Sequence, residues 1–594
     1  MNWKLRNNYW WLLPVLLSGT VYVNSLKGDF FWDDRALIWG NPLIKNWTSS
    51  LSIFLPRYWK EKHMAKGQYR PLRSLSFTLD YSIWHTNPFG YRLTNVTLHM
   101  ACTALIAALA YTLFGSASAA LLAGLFFAVH PAHIESIDYV KNRSDLLCAL
   151  FFLSSFLLWL RGKRVFSILS CLLSITGKEM GAVLPFVLGA YVLLMVPRDQ
   201  RREKFRSLIP FFAVFVSFLV WKFAVLKPSG ASEQEIISYI SGVNPLRLIV
   251  STYRAYLLLL FFPFRLSVDR ILPVLSSLFS VKALIFYTGA AWAVFSIGRT
   301  EKRKEYYFAL LWILLTLGPV SNIIPLKGRP FAEQRLYLPS AGWAFFMGML
   351  SEGLINAGAW KKGALLLTAA LLCVWGFMIV KQNVIWQDEE KVWFRATRDD
   401  PMNFRAWLAL ASAKMRKGDM PESKRIYHRI LPRLRGKQLE GIYLNLGVIA
   451  QSEGDFRTAL DYFLKARELM PGNYELWSNI GAMHYMMNEW DKAEEAFLEA
   501  VRIETGPLSA GAYNNLGLLY KSRGEIKKAA EYFRKAVELN SDLMEARINL
   551  VNIYDELGMR QQAERERREI ELRLKTGAAL QDYNPAIEFS EETR

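Results

Sequence analysis

The sequence predicts an all-α protein in two parts, a polytopic membrane helical domain followed by an extramembrane α-solenoid. Three observations predict it. Apolar runs long enough to span a bilayer, which takes about 20 residues, recur from Tyr9 to Val380. They stop after Lys381. The last third is charged, helical in its periodicity and internally repetitive, with Gly447, Gly481 and Gly517 in equivalent positions 34 and then 36 residues apart.

The first apolar run, residues 9–26, follows Lys4 and Arg6. It has the length of a signal peptide, but no small-x-small cleavage site precedes Lys27, so it is read as a retained first crossing. Residues 27–92 then form a large outer loop. Further apolar segments lie at 93–114, 118–134, 145–160, 164–177, 180–197, 208–226, 246–263, 281–297, 306–325, 336–353 and 362–381. The net charge of +20 is concentrated between them, at Arg161–Arg164, Arg198–Arg206, Arg299–Lys304 and Lys361-Lys362. That is the pattern of cytoplasmic loops, not of a nucleic-acid surface. Counting every segment as a crossing strands Arg299–Lys304 outside. Treating 246–263 as embedded but not crossing puts every basic cluster inside, leaves about eleven crossings, and sends the C-terminal part to the outer face. The four cysteines, Cys102, Cys148, Cys171 and Cys373, lie in apolar runs and offer neither a disulfide framework nor metal-ligand spacing.

The expected organisation is therefore a membrane domain over 1–385, a linker over 386–405, a repeat domain over 406–577 and a disordered tail over 578–594. Self-alignment of the repeat domain gives Tyr443, Leu446, Gly447, Ala450, Ala459, Phe463 and Ala466 in one unit. Trp477, Ile480, Gly481, Ala493, Phe497 and Ala500 follow in the next, then Tyr513, Leu516, Gly517, Tyr520, Ala529, Phe533 and Ala536. These are the large and small positions of the tetratricopeptide repeat, about five copies in all. Such solenoids present a concave face to a partner, often an extended peptide.

The membrane part carries polar groups on the outer side. Asp33 and Asp34 are flanked by aromatics just beyond the first helix, and burial of either would raise its pKa toward that of a general base. His130, His133 and Glu135 precede Asn142, Arg143 and Asp145. Lys178 and Glu179 interrupt an apolar stretch and are the charges expected at membrane depth, where charge usually marks function. Arg329, Glu333 and Arg335 lie before the segment at 336–353. His130 and His133 have ligand-like spacing but no third ligand, so hydrogen bonding is the expected role and no metal is assigned.

Several segments in order resemble the transmembrane and tetratricopeptide-repeat O-mannosyltransferases and their bacterial relatives. They are Tyr69-Arg70-Pro71-Leu72, Asn87 to Tyr91 with Thr94, Asn95 and His99, Val129 to Glu135, Asn142 to Asp145, Lys178-Glu179 and Arg335 to Ser340. The resemblance implies a C-type glycosyltransferase fold and a sugar, mannose, taken from a polyprenyl-phosphate donor on the outer face of the membrane. It maps catalysis to Asp33 or Asp34, with Asp33 placed first. The donor phosphate would be held by Lys178, Arg329 and Arg335. His130, His133, Glu135, Arg143, Glu179, Tyr69 and Arg70 would support the polar site. The acceptor would be a protein Ser or Thr held by the repeats. No cofactor is implied beyond the donor, and the expected setting is a bacterial inner membrane with periplasmic repeats, or the endoplasmic reticulum with luminal ones. The sequence departs from the family pattern at Lys141-Asn142-Arg143, where a small residue such as Gly is expected before the Arg. The alternative is a membrane scaffold whose repeats recruit partners.

Overall fold

The computed structural model describes residues 9–39, 41–45, 47–54, 70–225, 242–323, 326, 329–357 and 361–575. Tyr69 and the tail expected at 578–594 lie outside them. The chain divides into two units, residues 1–403 and 404–594, and no strand occurs among the described residues.

The principal helices of the first unit are α1 (Leu12–Thr20), α2 (Asp33–Ile38), α3 (Pro71–Trp84), α4 (Pro88–Phe114), α5 (Ala117–Ala128), α6 (Ile134–Asp138), α7 (Arg143–Leu160), α8 (Arg164–Gly177), α9 (Leu184–Met195), α10 (Ile209–Val225), α11 (Pro245–Phe261), α12 (Val281–Gly298), α13 (Arg303–Leu317), α14 (Pro339–Asn356), α15 (Lys361–Trp386) and α16 (Glu389–Asp399). Helix α4 shows why the sequence folds locally as it does. The Asn87 side chain caps it by accepting from Phe89 N at 3.1 Å, Pro88 opens it, and Gly115 closes it at a φ of 65°. Arg92, Asn95, His99 and Thr103 fall on one face at helical spacing and are all buried. The helix thus turns a polar stripe into the bundle.

Among the described residues, five helices are long and apolar enough to cross a membrane by length and composition: Pro88–Phe114, Val140–Leu160, Arg201–Ala224, Val281–Gly298 and Lys361–Trp386. The pair Ala117–Ala128 and Pro131–Asp138, bent by 50°, makes a sixth if it counts as one span. The eleven expected crossings are therefore not eleven full-length spans. Helical hydrogen bonding breaks inside several apolar runs, at Val129 to Pro131, at Lys178 to Val183 and at Gly318-Pro319, and hydropathy alone does not register such breaks. The apolar surface of three of the five faces outward. Only 11% of the Arg201–Ala224 and Val281–Gly298 windows and 17% of the Lys361–Trp386 window is buried, as lipid-facing helices require.

The bundle has two chemically distinct ends. At one, Glu352 near the end of α14 accepts from Ser116, the N-cap of α5, and Ser118 in its first turn and pairs with Lys302 at 3.0 Å. At the same end Phe308 of α13 meets Phe156 of α7, ring centroids 6.0 Å apart, and Trp159 Nε1 donates to Ser207 at 3.1 Å. The basic clusters at 161–164, 198–206 and 299–304 sit there. Arg92, Arg143, Lys178 and Arg329 sit at the other end. Helix α11 packs toward that second end. Asn322 donates to Thr252 midway along it at 3.0 Å, His130 meets Leu260 O in its last turn at 3.0 Å, and the chain returns to Arg329 through Asp269.

The region expected to be a linker is largely helical. Trp393 of α16 is fully buried, stacked on Phe31 at 5.6 Å, and Glu389 pairs with Arg35 at 2.6 Å. The aromatic content of this stretch finds partners in the first outer loop, 350 residues away, which composition alone cannot disclose.

The second unit is five antiparallel helix pairs: α17 (Phe404–Arg416) and α18 (Met420–Ile430), α19 (Glu440–Ser452) and α20 (Phe456–Leu469), α21 (Tyr474–Met486) and α22 (Trp490–Ile503), α23 (Ala510–Ser522) and α24 (Ile526–Leu539), α25 (Met544–Glu556) and α26 (Arg560–Lys575). The repeated glycines permit the close approach within each pair. A Cβ at Gly447, Gly481 or Gly517 would lie 2.4, 2.6 and 2.5 Å from the ring of Phe463, Phe497 or Phe533. No side chain larger than hydrogen fits without displacing that ring.

Candidate active site

The two outer-loop carboxylates open α2 but meet different surroundings. Phe31 and Trp32 pack on Trp393, with Trp32 edge-on at 4.9 Å, and Trp32 takes a φ of 45°, a strained conformation for an aromatic residue. Asp34 is fully buried. Its carboxylate accepts from Phe31 N at 3.1 Å and from Lys141 N at 2.7 Å. Burial pushes its pKa up to about 7, against the lowering effect of those two N–H groups and of Arg92. Asp33 instead keeps 37% of its side chain exposed and forms an ion pair with Lys141. Its backbone N–H donates to Tyr139 Oη at 3.2 Å. One carboxylate therefore ties the loop together and the other reaches solvent.

The cations expected to hold a phosphate are each engaged. Lys178 pairs with Asp145 at 2.6 Å, both nearly buried. Arg329 lies between Glu135 at 2.9 Å and Asp269 at 3.3 Å. Burial by itself would lower its pKa, but these carboxylates outweigh that and raise it. Arg335 donates to Pro330 O at 3.0 Å and to Arg329 O at 2.6 Å, so it braces the loop.

Arg143, expected in the polar site, is a structural tie. Fully buried, it meets Asp80 at 2.6 Å, Asn95 Oδ1 at 2.7 Å and Tyr91 O at 2.8 Å. Arg70 donates to Ser144 at 3.2 Å and lies 3.6 Å from the partly exposed Glu179. His130 and His133 sit beneath the polar belt, fully buried. His133 bonds Ser340 at 2.7 Å, and His130 packs on Trp343 and Trp375 at 4.7 and 5.1 Å. Among the described residues no group of His, Cys, Asp and Glu could hold a metal ion.

These groups form one continuous belt. Tyr139 is within electrostatic reach of Asp33 and Asp34 and of Arg329, and Glu135 of Asp145. Sequence reasoning missed Asp80 and Asp269, isolated carboxylates with no local motif. Lys141 stood out only as a departure from a pattern, and here it touches Asp33. An apolar groove of about 580 Å³ opens between α11, α12, α13 and α14, with Arg254 and Lys282 on its wall.

Residues 472–542 match the tetratricopeptide-repeat family profile. The human protein O-mannosyl-transferase TMTC3 is 24% identical over 535 residues, covering 82% of this chain and 54% of that protein. The Caenorhabditis elegans protein O-mannosyl-transferase F38B6.6 is 25% identical over 361 residues, 58% of this chain and 51% of that protein. Human protein O-mannosyl-transferase TMTC2 is 36% identical over 153 residues, 25% of this chain and 18% of that protein. The chain spans about half the length of the first two of these relatives. In its ordered polar motifs, the apolar helices that carry them and the repeats that follow, the chain is similar to these O-mannosyl-transferases.

Proposed function

We propose that the chain is a membrane glycosyltransferase. It moves a sugar, mannose by the names of its relatives, from a polyprenyl-phosphate donor to protein Ser or Thr hydroxyls on the outer face of the membrane. The observation that carries this reading is the division of labour between the two aspartates. Asp34 is consumed by backbone N–H groups, whereas Asp33 reaches solvent beside a cation. As the acceptor oxygen attacks the anomeric carbon, Asp33 takes its proton. The bond from that carbon to the phosphate oxygen breaks, and the lipid phosphate leaves. Attack opposite the phosphate inverts the anomeric centre. A positioned base of this kind contributes about 10²–10⁴-fold. The apolar groove with Arg254 and Lys282 on its wall suits the isoprenoid chain of the donor. The repeats gather the acceptor protein, and with the basic clusters cytoplasmic the site end faces the periplasm of a bacterial inner membrane.

Purified full-length protein, supplied with candidate polyprenyl-phosphate sugars and Ser- or Thr-containing peptides, should yield glycosylated peptide detectable by mass spectrometry. Folded protein that transfers from none of these donors would sink the reading.

A further inference from the structure

We propose that Lys141 is the cation that receives the donor phosphate, and that Asp33 occupies it until the donor arrives. The inference rests on the transferase reading above. Phosphate needs an available cation, and the site offers few. Withdrawing Lys178 from Asp145 or Arg143 from Asp80 would strand a buried carboxylate, since these side chains are all at most 6% exposed. Arg329 is shared by two buried carboxylates, and Arg335 is bound to two backbone carbonyls. The Lys141–Asp33 pair differs, because its side chains remain 23% and 37% exposed. A partly exposed ion pair is weaker than a buried one, so this ammonium changes partner at less cost than the buried cations.

The surroundings favour an anion as the new partner. Arg70 and Arg73 lie within electrostatic reach of the Lys141 ammonium. Arg70 Nε is buried without a hydrogen-bond partner, a donor in reserve beside its contact with Ser144. The donor's phosphodiester carries one negative charge, as Asp33 does, but its non-bridging oxygens can accept several charge-assisted hydrogen bonds from the cations gathered here. The exchange releases Asp33 next to the phosphate that carries the sugar. Base and donor thereby arrive together, and Asp33 is held in a pair while no donor is bound.

Binding of sugar-free polyprenyl phosphate to the detergent-solubilised full chain tests this without requiring turnover. K141M should weaken binding about 10- to 100-fold, while K141R should retain it. D33N should bind more tightly than wild type, because the competing carboxylate is gone. The double variant should match K141M alone, since Asp33 matters only through Lys141. Inorganic phosphate and phosphatidic acid should compete at least about tenfold less well than the polyprenyl lipid. Equal competition would mark a general anion site and overturn the donor assignment. A folded K141M with wild-type affinity would overturn the inference and leave the transferase reading standing. Should K141M fail to fold, absence of any tightening in D33N does the same. Wild type that binds no polyprenyl phosphate at all would overturn the donor class itself.

Discussion

Changing Asp33 to Asn keeps the size of the side chain and removes its capacity to take a proton at neutral pH. The fold should change little, because an amide can still accept from both side-chain partners, Lys141 in a partly exposed pair and the Tyr139 hydroxyl, at a cost of about 1 kcal/mol. Turnover should fall by about 10²–10⁴-fold, equivalent to about 2.7–5.4 kcal/mol of transition-state stabilisation. Asp34→Asn should behave in the opposite way. Its two oxygens accept from Phe31 N and Lys141 N, and an amide can serve only one of these. The other N–H then faces an NH₂ group in a buried site, at a cost of about 1–3 kcal/mol. Initial rates of peptide glycosylation, read beside thermal melting of the same preparations, separate the two effects. Asp33→Asn with turnover within threefold of wild type would remove it as the base. A severe loss of turnover in Asp34→Asn at unchanged melting temperature would exchange the two assignments.

Arg143→Lys cannot reproduce the fork that meets Asp80, Asn95 and Tyr91 O. It should cost about 3–5 kcal/mol, seen as loss of folded protein on detergent size exclusion, and normal yield and melting would show the tie to be dispensable. Gly481→Ala places a methyl 2.6 Å from the Phe497 ring and should destabilise the repeats by about 1–3 kcal/mol, measurable as earlier thermal loss of the solenoid's helical signal. Burial pushes Asp34 and Glu333 up to about 7 from ordinary carboxylate values, so the folded protein binds more protons than the unfolded chain. Stability should then decline as pH rises from about 4 to about 7 and level off above. Glu333→Gln should flatten that decline in melting temperature, and an unchanged profile would show that Glu333 does not titrate there.

The sequence by itself determined the class of the protein and its division. Apolar runs, basic loops and a repeat of small and aromatic positions are local, periodic properties, set by how a helix buries one face or meets lipid. They sufficed for the apolar helical part, the helical repeats and the polar motifs. Tertiary structure decided everything that depends on which distant groups meet. Asp33 and Asp34 are adjacent and chemically identical, and only the placement of Lys141 and Tyr139, more than 100 residues on, gives them different environments. Lys178, Arg329 and Arg335 looked like free cations because charge is visible in sequence and its partner is not. Asp145, Asp269 and the 329–330 carbonyls claim them. Residues 386–405 looked like a linker for the same reason, since nothing local to Trp393 says that Phe31 and Trp32 will bury it. Periodicity fixes which face of a helix is buried, but the energy of a charge in a low-dielectric interior depends on what lies within a few ångströms of it.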